Sequence, residues 1–113
     1  MGHVKTYGCN HCSYSVLTSA GLDWGMFAVT DTYICRSCID LVEVTVGKYG
    51  KVIKKQDIPQ ATANDEFDIT YYVCPKCGSD KHLVKWSTTK RPCPKCNEGK
   101  MDYDPNGESM LWD

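Results

Sequence analysis

The sequence predicts a small, mainly β fold with little helix, organised as two units. Three observations predict it. Eight cysteines fall in four pairs, each pair separated by two residues, and no cysteine is left over. Runs of aromatic and β-branched residues adjoin these pairs and favour strands. Each unit has roughly 40 residues, near the size below which a hydrophobic core alone rarely suffices, so bound metal is the expected stabiliser.

The cysteine pairs have a spacing typical of tetrahedral metal sites. The pairs are Cys9/Cys12, Cys35/Cys38, Cys74/Cys77 and Cys93/Cys96. A gap of 22 residues separates the first two pairs, and a gap of 15 separates the last two. Four-cysteine zinc sites have gaps of about 15–20 residues. Because short loops cost less entropy to close, we predict that the first pair shares a metal with the second, and the third with the fourth. The alternative is an interleaved arrangement, in which the first and third pairs share a metal.

Tetrahedral sulfur sites favour zinc, and the eight thiolates predict two zinc ions. Iron is the alternative metal at the second site, since tetrahedral sulfur accepts either ion. His3, His11 and His82 lie near the cysteines, but with four cysteines for each metal none is needed as a ligand. A thioredoxin-like redox role is disfavoured because no βαβ pattern surrounds any of the pairs.

The residues around the third and fourth pairs support metal turns. The segments CPKCG and CPKCN contain a proline that fixes φ, and they end on Gly78 and Asn97, which tolerate positive φ. The first two pairs have neither proline nor glycine. Ile39 occupies the position equivalent to Gly78 and is a poor candidate for positive φ, so the sequence predicts a looser site, or a different turn, in the first unit.

CPKCG followed by CPKCN, with short β segments, resembles the zinc-ribbon group, whose metal turns are similar to those of rubredoxin. Residues 74–104 carry the better match, whereas residues 9–38 match in spacing alone. The run YVCPKCG…PCPKC…GKM also resembles small uncharacterised bacterial proteins with tandem zinc ribbons. The resemblance implies a fold and not an activity. Its rubredoxin-like turns imply one further alternative, electron transfer by an iron bound to four cysteines.

Residues 1–55 are predicted to form the first zinc-ribbon-like unit with a β-hairpin extension, 56–68 a linker, and 69–113 the second, rubredoxin-like unit. The alternative for 56–68 is an ordered loop packed on one unit.

Strands are predicted at residues 24–34, 41–46, 69–73, 82–86 and 100–103. In the second of these, alternation places Val42, Val44 and Val46 on one face.

The sequence predicts a binding protein and not an enzyme. It contains no nucleophile–base pair or phosphate loop, and zinc bound by four cysteines leaves no position for substrate. The leading prediction is a protein-interaction module. Nucleic-acid binding through Lys85, Trp86, Lys90 and Arg91 is the alternative, in which the tryptophan stacks on a base. The preferred interpretation is a solvated basic face with a core tryptophan, because the acidic tail (Asp102, Asp104, Glu108 and Asp113) would compete with phosphate. Two filled metal sites would also change the net charge from −1 to about −5, which does not favour binding to a polyanion.

The sequence also predicts a cytoplasmic protein without a membrane partner. No run approaches the roughly 18 apolar residues of a membrane span, and the first residues lack the apolar core of a secretory signal. Cysteines in the cytosol stay reduced and are available to metals. The apolar run Met110-Leu111-Trp112 is predicted to dock on the second unit, and the alternative is an adhesive strip presented to a partner.

Overall fold

The computed structural model describes residues 2–25, 27–61, 63 and 69–112. Within these ranges strands predominate and helix is scarce, as the sequence predicted. The strands are β1 (Gly2–Cys9), β2 (Ser15–Thr18), β3 (Asp23–Trp24), β4 (Ala28–Cys35), β5 (Asp40–Lys48), β6 (Lys51–Val52), β7 (Leu83–Lys85), β8 (Met101–Tyr103) and β9 (Ser109–Trp112). A 3-10 turn at Lys55–Asp57 leads into the short helix α1, Ile58–Ala61. Neither helix of the described ranges has the length and apolar character that a bilayer crossing requires.

One sheet, here called the outer sheet, joins the beginning of the chain to its end. β1 is its central strand and pairs antiparallel with β2 along one edge. Along the other edge β1 pairs with β8, where Tyr7 lies opposite Tyr103, and with β9, where Val4 lies opposite Met110. Segments about a hundred positions apart in the sequence are therefore neighbours in the fold.

The second sheet, here called the inner sheet, contains β3 to β7 in the order β3-β4-β5-β6, with β7 also paired to β4. Val42, Val44 and Val46 of β5 are all buried, which confirms the predicted alternation. The predicted strand at 24–34 is broken, because a turn in which the Gly25 N–H donates to the Ala28 carbonyl (2.8 Å) separates β3 from β4.

The strands of both sheets come from both sides of the predicted linker. β1 pairs with β8 and β9, and β4 pairs with β7, so residues 1–55 and 69–113 contribute to each sheet. The predicted strand at 69–73 is wrong. Tyr72 has φ of 57°, and instead of a ladder its N–H donates to Thr45 (2.9 Å) and its hydroxyl to Ile53 (2.6 Å). Of the predicted linker, the first residues form the short helices, and residues 62 and 64–68 lie outside the described residues.

Each sheet has its own apolar core, and β5 contributes to both. The inner core contains Val29, Cys35, Val42, Val44, Val46 and Cys74. The outer core contains Leu41, Trp86, Cys93 and Met101. Adjacent residues of a strand point to opposite faces, so Leu41 and Val42 reach different cores. The inner core therefore packs on one face of β5 and the outer core on the other.

A polar junction around Glu43 fastens the end of β2 to the inner sheet. The Glu43 carboxylate accepts hydrogen bonds from the hydroxyls of Thr18 (2.5 Å) and Thr32 (3.0 Å) and from the Ser19 N–H (2.9 Å). The fully buried Thr32 hydroxyl also accepts a bond from the Gly21 N–H at 3.0 Å. Because each buried polar group has a partner, the junction fixes where the chain passes from one sheet to the other.

The apolar run at 110–112 does not dock where it was predicted. It forms β9 along β1, and the Trp112 indole N–H donates to the Asp23 carboxylate at 2.9 Å. Main-chain pairing with β1 satisfies backbone N–H and carbonyl groups of this segment. Met110 and Leu111 remain exposed.

Replacing Thr32 by valine is expected to lower the free energy of unfolding by about 1–3 kcal/mol, because the buried Gly21 N–H loses its acceptor while the side-chain shape is kept. Thr45→Val is the matched control, since that side chain takes no part in the junction. Urea denaturation of the metal-loaded proteins measures both changes. Equal stability of the two variants would contradict the structural role of the Thr32 hydroxyl.

Candidate metal centres

The structure gathers all eight predicted cysteines into two groups of four. The outer centre contains Cys9, Cys12, Cys93 and Cys96, and the inner centre contains Cys35, Cys38, Cys74 and Cys77. Within each group the sulfur atoms all lie within 4.8 Å of one another. The first pair thus joins the fourth, and the second joins the third. The predicted sharing between neighbouring pairs is wrong, and so is the interleaved alternative.

Strand pairing explains this nested arrangement. Cys9 lies opposite Met101 in the outer sheet, which brings the first pair beside the fourth. Cys35 lies opposite Leu83 in the inner sheet, which brings the second pair beside the third. Closing a loop of 80 residues instead of 22 costs only about 1.1 kcal/mol more. A few ladder hydrogen bonds and the burial of one large apolar side chain exceed that difference.

The spacing of the sulfurs fits a tetrahedral metal. Four sulfurs placed about 2.3 Å from a central zinc lie about 3.8 Å from one another. The sulfur–sulfur distances are 3.7 Å for Cys9–Cys96 and Cys12–Cys93, and 3.8 Å for Cys35–Cys77 and Cys38–Cys74. All eight cysteines are free thiols. Both centres therefore have the dimensions of a metal site and not of a pair of disulfides.

Three of the four cysteine turns share one conformation. The residue after the second cysteine has positive φ in each, at Gly78 (74°), Asn97 (59°) and Ile39 (53°). Its N–H donates to the carbonyl of the first cysteine at 2.8, 3.2 and 2.8 Å, respectively. The prediction for Gly78 and Asn97 is confirmed. That for Ile39 is wrong, because closure of the inner centre imposes the turn on a residue that disfavours it.

The turn of Cys9 and Cys12 is the one that differs. There the Cys9 N–H donates to the Tyr14 carbonyl at 2.9 Å, which keeps the turn within the hairpin of β1 and β2. The Cys9 sulfur accepts hydrogen bonds from the N–H groups of His11 and Cys12, both at 3.3 Å. Main-chain donors therefore face the sulfur here as well.

At least one cysteine in each centre has a pKa below its ordinary value. Desolvation raises the pKa of Cys9, but the N–H groups of Cys12 and His11 lower it to about 7. The pKa of Cys74 is lowered to about 7 in the same way, by the N–H groups of Cys77 and Lys76 acting against desolvation. Desolvation raises the pKa of Cys38 and of Cys93 to about 12. Four thiolates at this distance repel one another, so their full ionisation requires a cation.

Gly99 is a site residue that the sequence analysis missed. A Cβ at this position would lie 2.1 Å from the Cys9 sulfur, so only glycine permits the close approach. Its N–H also donates to the Cys96 sulfur at 3.3 Å. The signal in the sequence is the glycine three residues after the last cysteine, but its reason depends on a cysteine at the other end of the chain.

The three histidines lie outside both sulfur groups. His11, inside the first turn, is exposed and its Nε2 lies 2.9 Å from the Glu98 carboxylate. His3 and His82 are exposed as well. Each sulfur group consists of four cysteines.

The residues predicted as an alternative nucleic-acid surface are largely engaged within the protein. Trp86 is only 1% exposed, and its indole N–H donates to the Pro92 carbonyl at 2.9 Å. This confirms the preferred interpretation of Trp86 as a core residue. Lys85 lies 3.6 Å from the Asp31 carboxylate and Arg91 lies 3.3 Å from that of Asp102. Lys90 is exposed.

Chemically, each centre can hold one cation with four thiolates. A tetrahedral site closed by protein ligands has no position for water or substrate, which suits a structural role. No protein-family model, curated protein or solved structure matches this chain. The function is therefore inferred from the centres and the surface themselves.

The nested arrangement predicts which cysteine substitutions act together. Cys9→Ser with Cys93→Ser removes two ligands from one centre and is expected to leave one tightly bound metal per chain. Cys9→Ser with Cys35→Ser damages both centres and is expected to leave neither intact. Cobalt titration followed by the thiolate-to-metal absorption band measures the stoichiometry. If the second variant retained a full site and the first did not, the observed pairing would be refuted.

Proposed function

We propose that this chain is a non-catalytic, cytoplasmic protein that binds two structural zinc ions, each through four cysteines. Its proposed role is to bind another protein. The two sulfur tetrahedra carry the first part of the proposal. Each joins segments that are far apart in the chain, so a metal in either centre acts as a cross-link between elements of the fold. Soft thiolate ligands in tetrahedral geometry favour zinc among the common divalent metals.

An exposed aromatic cluster supports the protein-binding role. Trp24, Phe27 and Tyr49 are 46%, 51% and 62% exposed, and the rings of Phe27 and Tyr49 meet edge to face at 6.3 Å. Phe27 and Tyr49, here called the aromatic tip, lie in the turns before β4 and after β5, whereas Trp24 ends β3. Tryptophan and tyrosine are the residues that most often dominate the energy of protein interfaces.

The aromatic tip is separate from the metal centres. Phe27 precedes β4, whereas Cys35 ends it. At about 3.3 Å for each residue of strand, the two ends lie roughly 23 Å apart. The exposed rings therefore do not serve to cover the inner centre, and their exposure is better explained by contact with a partner.

The nucleic-acid alternative has less support than the protein-binding role. Its stacking residue, Trp86, is buried, and two of its three cations have carboxylate partners.

The iron alternative is decided by the metal content of the native protein. An iron centre would give a coloured protein that bleaches on reduction, whereas zinc is colourless.

Native protein is expected to contain two zinc ions per chain by elemental analysis. Removal by a strong chelator is expected to abolish the β-type circular dichroism and the cooperative thermal transition, since metal binding in small zinc domains contributes about 10–16 kcal/mol at pH 7. Added zinc should restore both signals. Unchanged dichroism and melting temperature after verified metal removal would refute the structural role.

The protein-binding role predicts that a partner is lost when the aromatic tip is made polar. Phe27→Ser with Tyr49→Ser should abolish recovery of a specific protein in an affinity purification from the native host, without changing the zinc content. Tyr103→Ser with Leu111→Ser is the matched control, because those side chains are 50% and 61% exposed on the outer sheet. Recovery that is equal for both variants would contradict the assignment of the aromatic tip.

A further inference from the structure

A single carboxylate, that of Asp40, stands between the two metal centres. Its Oδ1 accepts a hydrogen bond from the Tyr14 hydroxyl, and its Oδ2 forms an ion pair with the Lys76 ammonium group. The Asp40 side chain is 15% exposed. The hydroxyl of Tyr14 also accepts a hydrogen bond from the Leu41 N–H at 3.0 Å. Asp40 therefore has a partner on each of its oxygens.

These partners attach to different centres. Tyr14 belongs to the outer centre, because its carbonyl accepts the Cys9 N–H at 2.9 Å. Lys76 belongs to the inner centre, since it lies between Cys74 and Cys77. Asp40 itself follows Cys38 by two residues. The bridge thus runs from the inner centre through one carboxylate to the outer centre.

The fourth cysteine turn joins the same bridge through a ring contact. The Lys95 ammonium group, between Cys93 and Cys96, lies 5.7 Å from the centre of the Tyr14 ring. A cation at this distance from a ring face is attracted to it. All four cysteine turns consequently meet at Tyr14 and Asp40, although they belong to two separate sulfur groups.

A largely buried carboxylate is stable only while its hydrogen-bond and charge partners are in place. Tyr14 is held by the hairpin that carries Cys9 and Cys12, and Lys76 is held by the turn that carries Cys74 and Cys77. Ordering either turn around a metal places one partner of Asp40. The second turn then finds the carboxylate already positioned, and less ordering remains to be done when its own metal binds.

Resting on the proposed zinc function, we propose that Asp40 is a positioning residue shared by both centres, through which metal binding at one centre raises the affinity of the other. The coupling is reciprocal, because it is a property of the doubly loaded state. The nested order of the cysteines adds to it: closing the inner centre shortens the effective loop between Cys12 and Cys93. Substitution of Asp40 removes the first contribution and leaves the second.

The coupling can be measured as a ratio of zinc affinities. The product of the two association constants of the intact protein is divided by the association constants of two single-site variants, Cys9→Ser/Cys93→Ser and Cys35→Ser/Cys74→Ser. Competition with a chromophoric chelator gives each constant. Independent centres give a ratio of one. We expect a ratio well above one, reduced by about fivefold or more when Asp40→Asn is introduced into all three proteins.

Tyr14→Phe provides a second route to the same result, because it keeps the ring near Lys95 and removes only the hydroxyl. It should also reduce the ratio. Asp102→Asn is the matched control, since it removes a carboxylate from an exposed pair with Arg91 and should leave the ratio unchanged. A merely structural role of Asp40 would weaken each affinity without changing their ratio.

The outcomes separate this inference from the proposed function. Zinc that binds neither centre tightly would overturn both. Two tightly bound ions with a ratio of one in the intact protein, or a ratio that survives both Asp40→Asn and Tyr14→Phe, would overturn the coupling alone and leave the structural zinc proposal standing.

Discussion

Convergence of thiolates from distant parts of the chain is the interaction on which this fold depends. The outer centre joins the first cysteine pair to the last, and the inner centre lies between them in sequence. Four thiolates held within 4.8 Å of one another repel one another, and a cation among them would offset that repulsion. With cations bound, each centre fixes two turns and the strands that enter them, which compensates for cores that are small for a chain of this length.

Side chains of β5 connect the two sheets. β5 sends Leu41 to the outer core and Val42 to the inner one, so neither core is complete without it. Glu43 of the same strand accepts hydrogen bonds from the segment that leaves β2, and Asp40 at its beginning reaches a cysteine turn of each centre. A disturbance of β5 is thus transmitted to both sheets. The aromatic tip lies at the other end of this strand, where Tyr49 follows Lys48.

The sequence predicted the buried face of β5 and two of the cysteine turns correctly, but it did not predict the backbone conformation of Ile39 or of residues 69–73. The alternation of Val42, Val44 and Val46 identified a buried face, and Gly78 and Asn97 take the positive φ expected after their cysteines. Ile39 takes the same conformation against its preference, because the metal turn that it completes outweighs the local cost. At 69–73 the strand propensity is high, yet Tyr72 bonds to Thr45 and Ile53 outside any ladder. Tertiary contacts decide such positions.

From the sequence alone, the ligand set, the tetrahedral sulfur chemistry and the mainly β character of the fold follow, because each depends on residue type and spacing over a few positions. The tertiary structure decided which pairs share a metal. The loop-length preference for neighbouring pairs is only logarithmic, and strand pairing between residues 2–9 and 101–112 overrides it. The same pairing explains why position 99 requires glycine, since it brings that residue against the Cys9 sulfur. These properties depend on contacts between distant segments, which spacing along the chain does not encode.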